Sequence, residues 1–393
     1  MPPSDSSLVR PILASLLARA TLNTSFRLVY PFLPIIARGL GVPLEVAASL
    51  VALRATMGFA SLLVGPLADR LRRRTLILFA VGLFTAGAVV AALFSVYAVF
   101  AVGFLAMGLA KIILDPTTVA YISDRVPYAL RGRVNGLFEI PWATASLVGA
   151  PLAGWAIARY GWQAPYAGLA VLGVVSLLAA LWGFPAADVR PHPPYGRRWW
   201  SGFGLALREP SVRWMWLTTF CLVVANDTVF IVASGAWLER EFGLGAAALG
   251  SVAIATGLAE LAGEGLSSAI LDRVGKKRGI LGGLLALLLA FPLLSLLGGR
   301  GLAGAVVGLA LLLFLFEFAY ISCIPLVTEL VPQARATTLS INTTATQMGR
   351  VLGSLLGPLL WQGAGLGANV AVAAGMTLLA AVFLAWRVRE RED

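Results

Sequence analysis

The chain has 393 residues, of which 59% are hydrophobic and 12% charged, with a net charge of +11 and a mean hydropathy of +0.86. That composition lacks the polar surface a water-soluble chain of this length must show, so it excludes a soluble enzyme or nucleic-acid-binding domain and leaves an all-α polytopic membrane protein. Two cysteines and one histidine provide neither a disulfide framework nor a metal-site spacing, and no cofactor is expected.

Hydrocarbon about 30 Å thick needs about 20 apolar helical residues to cross it. Twelve such windows recur, near 10–38, 44–69, 75–95, 97–123, 131–159, 163–184, 211–240, 246–271, 279–298, 302–330, 335–363 and 366–387. They are Leu- and Ala-rich without the alternation of strands, so each reads as a helix. The first follows MPPSDSSLVR without a small-residue cleavage site and reads as a retained helix; no lipidation motif appears. Along it Arg19, Asn23, Arg27 and Tyr30 step by four, four and three, which places them on one stripe. Between spans 2 and 3 stands GPLADRLRRR at 65–74. Span 4 carries Lys111 and Asp115 one turn apart, a spacing at which the two can simply pair with each other. Span 5 offers Asn135, Glu139, Trp142 and Ser146 on one face, then GAPLAG at 149–154.

The segment 185–210 is Pro-rich and then basic and Trp-rich, as expected of a linker lying on the inner leaflet. Beyond it, span 7 contains Asn226 and Asp227, and span 8 spaces Thr256, Glu260, Glu264 and Ser268 by four. Span 10 carries Glu317 and Tyr320, and span 11 carries Asn342, Thr346 and Arg350. Spans 3, 6, 9 and 12 hold no charged residue, whereas the other eight hold all of the intramembrane ones, Arg19, Arg27, Arg54, Lys111, Asp115, Glu139, Asp227, Glu260, Glu264, Glu317 and Arg350. A charge at a helix centre costs about 2.5 to 3.5 kcal/mol on insertion scales, so these positions trace a protein or water interior.

Sorting the loops by side puts 21 Lys and Arg with the two termini and four (Arg38, Arg159, Arg240 and Arg300) on the opposite side. Both termini are therefore expected in the cytoplasm, and the basic clusters read as topology signals, with no nucleic acid implied. A repeat also emerges. SAILDRVGKK at 268–277 aligns with GPLADRLRRR, pairing Asp69 with Asp272, Arg70 with Arg273 and Arg73 with Lys276; NTSF at Asn23 aligns with NDTV at Asn226. YISDRVPYALRGR is echoed by LVTELVPQAR, pairing Asp124 with Glu329. Offsets of 203 to 205 at separate sites mean two parallel six-helix halves, at 1–184 and 211–393, joined by the 185–210 linker.

GPLADRLRRR, its echo and the span count resemble the major facilitator superfamily of secondary transporters, whose loop between spans 2 and 3 follows roughly G-x-L-x-D-R-x-G-R-K. Arg72 departs from the second glycine, and Ser268 from the leading glycine of the echo. The resemblance implies two six-helix bundles with a substrate site near the midplane between them. It also implies a cytoplasmic latch, for which Asp69, Arg70, Arg73, Asp124 and Arg131, with Asp272, Arg273, Lys276 and Glu329 as the second copy, are the candidates.

Candidate substrate contacts are Asn23, Arg27, Tyr30, Lys111, Trp142, Asn226, Asp227, Glu317, Tyr320 and Arg350. No G-x-x-x-x-G-K-[ST] loop supplies ATP, so an ion gradient must drive accumulation. Candidate proton carriers are Asp115, Glu139, Glu260, Glu264 and Glu317, with Glu260 and Glu264 foremost because they share a face; sodium is an alternative, with Asn226, Asp227 and Thr228 as oxygen ligands. GAPLAG resembles the Gly-Pro element of antiporters in the family, whereas the arginine that its drug–proton antiporters carry four residues before a glycine in span 4 is here Phe104, before Gly108. The favoured reading is proton-coupled export of small amphiphilic compounds by a monomer in a bacterial inner membrane. Uptake of an organic anion clamped by Arg27 and Arg350 stands second and lipid or lysolipid flipping third; no nucleophile and base constellation marks an enzyme.

Overall fold

The computed structural model describes residues 6–60, 72–123, 125–126, 137–185 and 200–388, and among them there is no strand. The helices are α1 (Ser6–Arg27), α2 (Val29–Leu40), α3 (Leu44–Thr56), α4 (Arg73–Leu93), α5 (Tyr97–Ser123), α6 (Ile140–Tyr160), α7 (Ala164–Gly183), α8 (Trp200–Arg208), α9 (Pro210–Phe242), α10 (Ala246–Val274), α11 (Lys276–Gly298), α12 (Leu302–Leu330) and α13 (Arg335–Arg387).

Nine helices among the described residues, α4 to α7 and α9 to α13, are long and apolar enough to cross a membrane. Three features separate that number from the twelve windows of the sequence. Arg10, Arg19 and Arg27 dilute the apolar character of α1. The second window runs into residues 61–71, outside the described ones. The last two windows form a single helix, α13, broken only at Ala364 and Gly365, where Gly365 has φ 70. The break falls between the windows 335–363 and 366–387, because a left-handed backbone position is one that glycine alone adopts without strain.

Terminal residues set several other boundaries. Gly41 (φ 65) closes α2 by donating its N–H to the carbonyls of Ala37 and Arg38, the left-handed cap that helices favour. Pro141 and Pro165 stand in the first turns of α6 and α7, where the missing N–H costs nothing. The Glu209 carboxylate caps α9 by accepting from the Ser211 N–H. Short π-helical turns interrupt α6 at Ala145–Gly149 and α9 at Ala233–Trp237.

The chain forms two compact units. The first comprises Met1–Pro43, Met57–Tyr195 and Ala246–Ser251, so it holds α1, α2, α4 to α7 and the first turn of α10. Within it, Gly87 of α4 and Gly103 of α5 let two backbones meet so closely that a Cβ on either would lie 2.6 Å from the other's carbonyl oxygen. Both glycines of GAPLAG are used in the same way: a Cβ on Gly154 would meet the Ala246 carbonyl at 2.5 Å, and one on Gly149 would meet Thr24 at 2.7 Å.

The second unit comprises Leu44–Thr56, Gly196–Gly245 and Val252–Asp393. Its centre is α9, 83% of whose apolar stretch is buried against 39 to 44% in the other eight spanning helices. The neighbour that makes this enclosure is α13, whose Gly349, Gly353 and Gly357 stand one turn apart against Phe220, Asp227 and Ile231 of α9. Without side chains in the way, the backbones pack at a distance that larger residues would forbid. In both units the long stretches without charged residues expose large apolar side chains, such as Phe79 and Leu93 of α4, Val171 and Leu178 of α7, Leu289 of α11 and Leu378 in the last part of α13. Surface of that kind finds its solvent in lipid.

Candidate functional site

Each unit holds its own cluster of ionisable groups. In the first unit α1, α5 and α6 converge. Lys111 of α5 donates to Asp115 Oδ2 at 2.6 Å, the pairing expected one turn along a helix, and also to Asn23 Oδ1 of α1 at 2.5 Å. Arg19 Nη1 lies 3.3 Å from Asp115 Oδ1, so one carboxylate is shared by two cations. Of the stripe expected along the first span, Arg19 and Asn23 both reach the Lys111–Asp115 pair, whereas Tyr30 falls in α2, past the end of α1 at Arg27. One turn on, Arg27 Nε donates to Ser146 Oγ at 2.8 Å. Ser146 lies within the π turn of α6, and such bulges re-aim side chains.

Aromatic rings line this cluster. Arg27 sits 4.8 Å and Lys111 5.6 Å from the centre of the Trp142 ring, and Lys111 is 5.8 Å from that of Phe26, whose own ring lies 6.1 Å from Trp142. Arg19 stands 5.3 Å from the Phe138 ring. Two cations beside one indole are a strong electrostatic match to its π face. Tyr30 is buried in α2, and Glu139 is exposed in the turn before α6. Phe26 and Phe138 were not singled out from the sequence; Phe26 stands three residues after Asn23, so helical spacing could have found it, whereas nothing in the pattern marks Phe138.

In the second unit, Asp227 of α9 is buried and its Oδ2 lies 3.5 Å from Arg350 Nε of α13. Asn226 Nδ2 donates to Asp227 Oδ1 at 3.1 Å. The approach depends on Gly353, where a Cβ would sit 2.8 Å from the Asp227 Cβ. Around the pair, Thr219 donates to Asn342 Oδ1 at 2.8 Å, and the Tyr320 and Thr346 hydroxyls are 3.3 Å apart. Tyr320 stacks on Phe316 with ring centres 5.6 Å apart. Arg54 of α3 and Glu260 of α10 are buried, while Glu264 and Glu317 are half-buried.

The repeat read from sequence reappears in packing. Gly149 against Thr24 and Gly353 against Asp227 are the same close approach, with the glycines 204 and their partners 203 residues apart. Of the candidate latch, Asp69, Arg70, Asp124 and Arg131 lie outside the described residues. Arg73 donates to the Ala120 carbonyl at 2.6 Å. In the second copy Lys276 Nζ reaches both Glu329 oxygens at 2.5 Å, while Asp272 and Arg273 are exposed.

One further cavity, of about 400 Å³, lies in the first unit between α1, α6 and α7, bounded by Thr24, Gly149, Leu152, Trp155, Gly168 and Leu172. Its walls are apolar, and the hydroxyls of Thr21, Thr24 and Thr144 bond their own helices, so it presents little to recognise a polar ligand.

Comparison with known proteins decides the family. The sequence model of the Major Facilitator Superfamily matches residues 15–233 and again 215–393. The chain belongs to the major facilitator superfamily. It is a membrane transporter of the secondary type and not an enzyme. Among relatives, it is 22% identical over 347 residues to the uncharacterized MFS-type transporter YceJ of Bacillus subtilis, covering 87% of this chain and 86% of that one. Among solved structures, it resembles a D-xylose-proton symporter with a TM-score of 0.77 at 17% identity, covering 97% of this chain and 98% of the other. It also resembles the human organic anion transporter MFSD10 with a TM-score of 0.67 at 19% identity, covering 97% and 100%. These two structures differ in cargo, and at such identities they establish the shared fold.

Proposed function

We propose that this major facilitator protein exports small amphiphilic compounds in exchange for protons, from a bacterial inner membrane with both termini in the cytoplasm. The observation that carries the reading is the cluster in which Arg27 and Lys111 flank the Trp142 ring beside Phe26, with Asp115 within reach. Aromatic faces receive an apolar body, and charged groups one turn away receive a polar head.

Proton coupling is supported by carboxylates placed inside spanning helices. Desolvation favours a neutral carboxylic acid and a nearby cation favours its anion, so a carboxylate whose surroundings change between conformations loads and releases a proton. Glu260 and Glu264, buried and half-buried on one face of α10, are the proposed carriers. The outward direction is supported by GAPLAG, whose two glycines both serve close helix approaches.

Proteoliposomes enclosing a pH-sensitive dye test this reading with a panel of anionic, cationic and neutral amphiphiles. Export by exchange requires substrate-driven proton counterflow; co-flow would instead mark uptake. If Glu260→Gln combined with Glu264→Gln leaves coupled flux unchanged, the carrier assignment fails.

A further inference from the structure

We propose that the transported amphiphile carries an acidic head, a carboxylate or a similar singly charged oxyanion, received by Arg19 and Lys111 at a position where Asp115 now competes with it. This deepens the proposed function and rests on it.

The first argument is charge. At the centre of the first unit's cluster, Arg19 and Lys111 share one carboxylate, Asp115. Arg27, one turn beyond Asn23 on α1, adds a third cation beside the Trp142 ring that Lys111 also faces, while Glu139 is exposed in the turn before α6. Among the described residues, two cations paired with one carboxylate leave an excess of positive charge at a largely enclosed position, which is costly away from water.

The second argument is the state of Arg19. The residue is only 9% exposed, yet its Nε and Nη1 make no hydrogen bond among the described residues. Asp115 Oδ1 lies 3.3 Å from Nη1 and is likewise without a hydrogen bond, so the two are close but misaligned. A buried guanidinium holding donors toward an imperfect acceptor carries a desolvation cost that an incoming oxyanion relieves. Lys111 is already turned toward oxygen, with Asp115 Oδ2 at 2.6 Å and Asn23 Oδ1 at 2.5 Å. An entering carboxylate takes over bonds that Asp115 now makes, while Asn23 continues to hold the ammonium in place.

The third argument is the wall. Phe26 and Trp142 flank Lys111, and Phe138 flanks Arg19, so the cations stand beside faces suited to a ring or short apolar chain. The chemistry specified is an organic acid with an aromatic or apolar body.

The test uses the full chain in lipid nanodiscs and three probes with one body, 3-phenylpropionate, 3-phenylpropanamide and 3-phenylpropylammonium. Binding is read as the concentration-dependent rise in melting temperature. The acid should stabilise most. Arg19→Gln should weaken acid binding about tenfold or more, with partial recovery in Arg19→Lys and little change for the amide. Asp115→Asn, which removes the competitor, should tighten the acid severalfold and leave the amide alone. An acid that binds no better than its amide, or an Asp115→Asn variant that binds acid no tighter than the parent, overturns the proposal and makes the cluster a static brace. Should Arg19→Gln fail to fold, Asp115→Asn decides alone. Proton counterflow with cationic but not acidic amphiphiles would sink this inference and leave the exporter standing, whereas acid binding without proton movement would do the reverse.

Discussion

Replacing Gly353 by alanine puts the packing of the second unit to a direct test. An added Cβ would lie 2.8 Å from the Asp227 Cβ and 3.1 Å from both the Thr228 nitrogen and the Val224 carbonyl. Carbon atoms settle at about 3.5 to 4.0 Å, so α13 must retreat from α9 by roughly 0.7 Å or more. The obstacle includes backbone, which no rotamer change removes. Overpacking of this kind costs about 1 to 3 kcal/mol, and the retreat also lengthens an Asp227–Arg350 approach that is already 3.5 Å. Gly149→Ala makes the informative contrast. Its Cβ would meet the Cγ2 and Oγ1 of Thr24 at 2.7 Å, with the Thr24 Cβ at 3.2 Å, so the clash is chiefly with atoms that a second substitution can delete. Thr24→Ala should therefore rescue most of the stability lost in Gly149→Ala, whereas no side-chain truncation in α9 should rescue Gly353→Ala. Gly375→Ala, on the same helix with nothing within 4 Å of its Cβ, is the control and should gain about 0.5 to 1 kcal/mol. Thermal unfolding in nanodiscs reads all four. A Gly353→Ala protein as stable as the parent would refute the close α9–α13 approach.

The Asp227–Arg350 pair should behave non-additively in a double-mutant cycle read by unfolding. Arg350→Gln, which leaves the more enclosed charge of the two (4% against 21% side-chain exposure), should cost about 3 to 5 kcal/mol and more than Asp227→Asn, with the double variant recovering part of the loss; strict additivity would deny the pairing. Glu329 is 46% exposed, so Lys276→Gln should change stability by only about 0.2 to 1 kcal/mol, and less in high salt. A loss of several kcal/mol would show that the pair is enclosed. Trp142→Phe should keep most binding of the amphiphile probes and Trp142→Ala should weaken it about two- to thirtyfold, since an aromatic face beside a cation contributes about 0.5 to 2 kcal/mol; equal behaviour of the two variants in the nanodisc titration would remove Trp142 from the site.

Much of the architecture was legible because the membrane imposes it. A fixed hydrocarbon thickness makes spans readable from apolar length, and the cost of intramembrane charge makes lipid-facing helices readable from its absence: α4, α7 and α11, which carry none within the hydrocarbon, expose residues such as Phe79, Leu178 and Leu289. The Lys111–Asp115 bond was legible for a different reason, since residues one turn apart on a helix must be neighbours. That Arg19 joins them was not, because the meeting of α1 and α5 depends on how each helix is rotated and at what depth they cross. Asp227 and Arg350 illustrate the same limit. Each stood out as an intramembrane charge, yet their approach is set by Gly353, a residue whose contribution is the absence of a side chain. The π turn that carries Ser146 to Arg27 leaves no trace in apolar periodicity.

The duplicated packing explains how two halves with one backbone plan come to differ in chemistry. At equivalent approaches, the helix that receives the glycine presents Thr24 in the first unit and Asp227 in the second. A hydroxyl can bond its own helix, as Thr24 does to the Ala20 carbonyl at 2.8 Å, and needs no partner elsewhere. A carboxylate must be balanced, and Arg350 stands one turn before Gly353 to balance it. One substitution at this position thus calls for a second on the facing helix, and the acids and bases of the two units diverge. The first unit holds Arg19, Arg27 and Lys111 with Asp115 and Glu139, while the second holds Asp227, Glu260, Glu264 and Glu317 with Arg54 and Arg350. Under the proposed function and the acidic head inferred for its substrate, the cation-rich unit receives that head and the carboxylate-rich unit handles protons. Exchanging that balance by charge reversal at Lys111 should therefore abolish acid binding while leaving the carriers on α10 able to titrate.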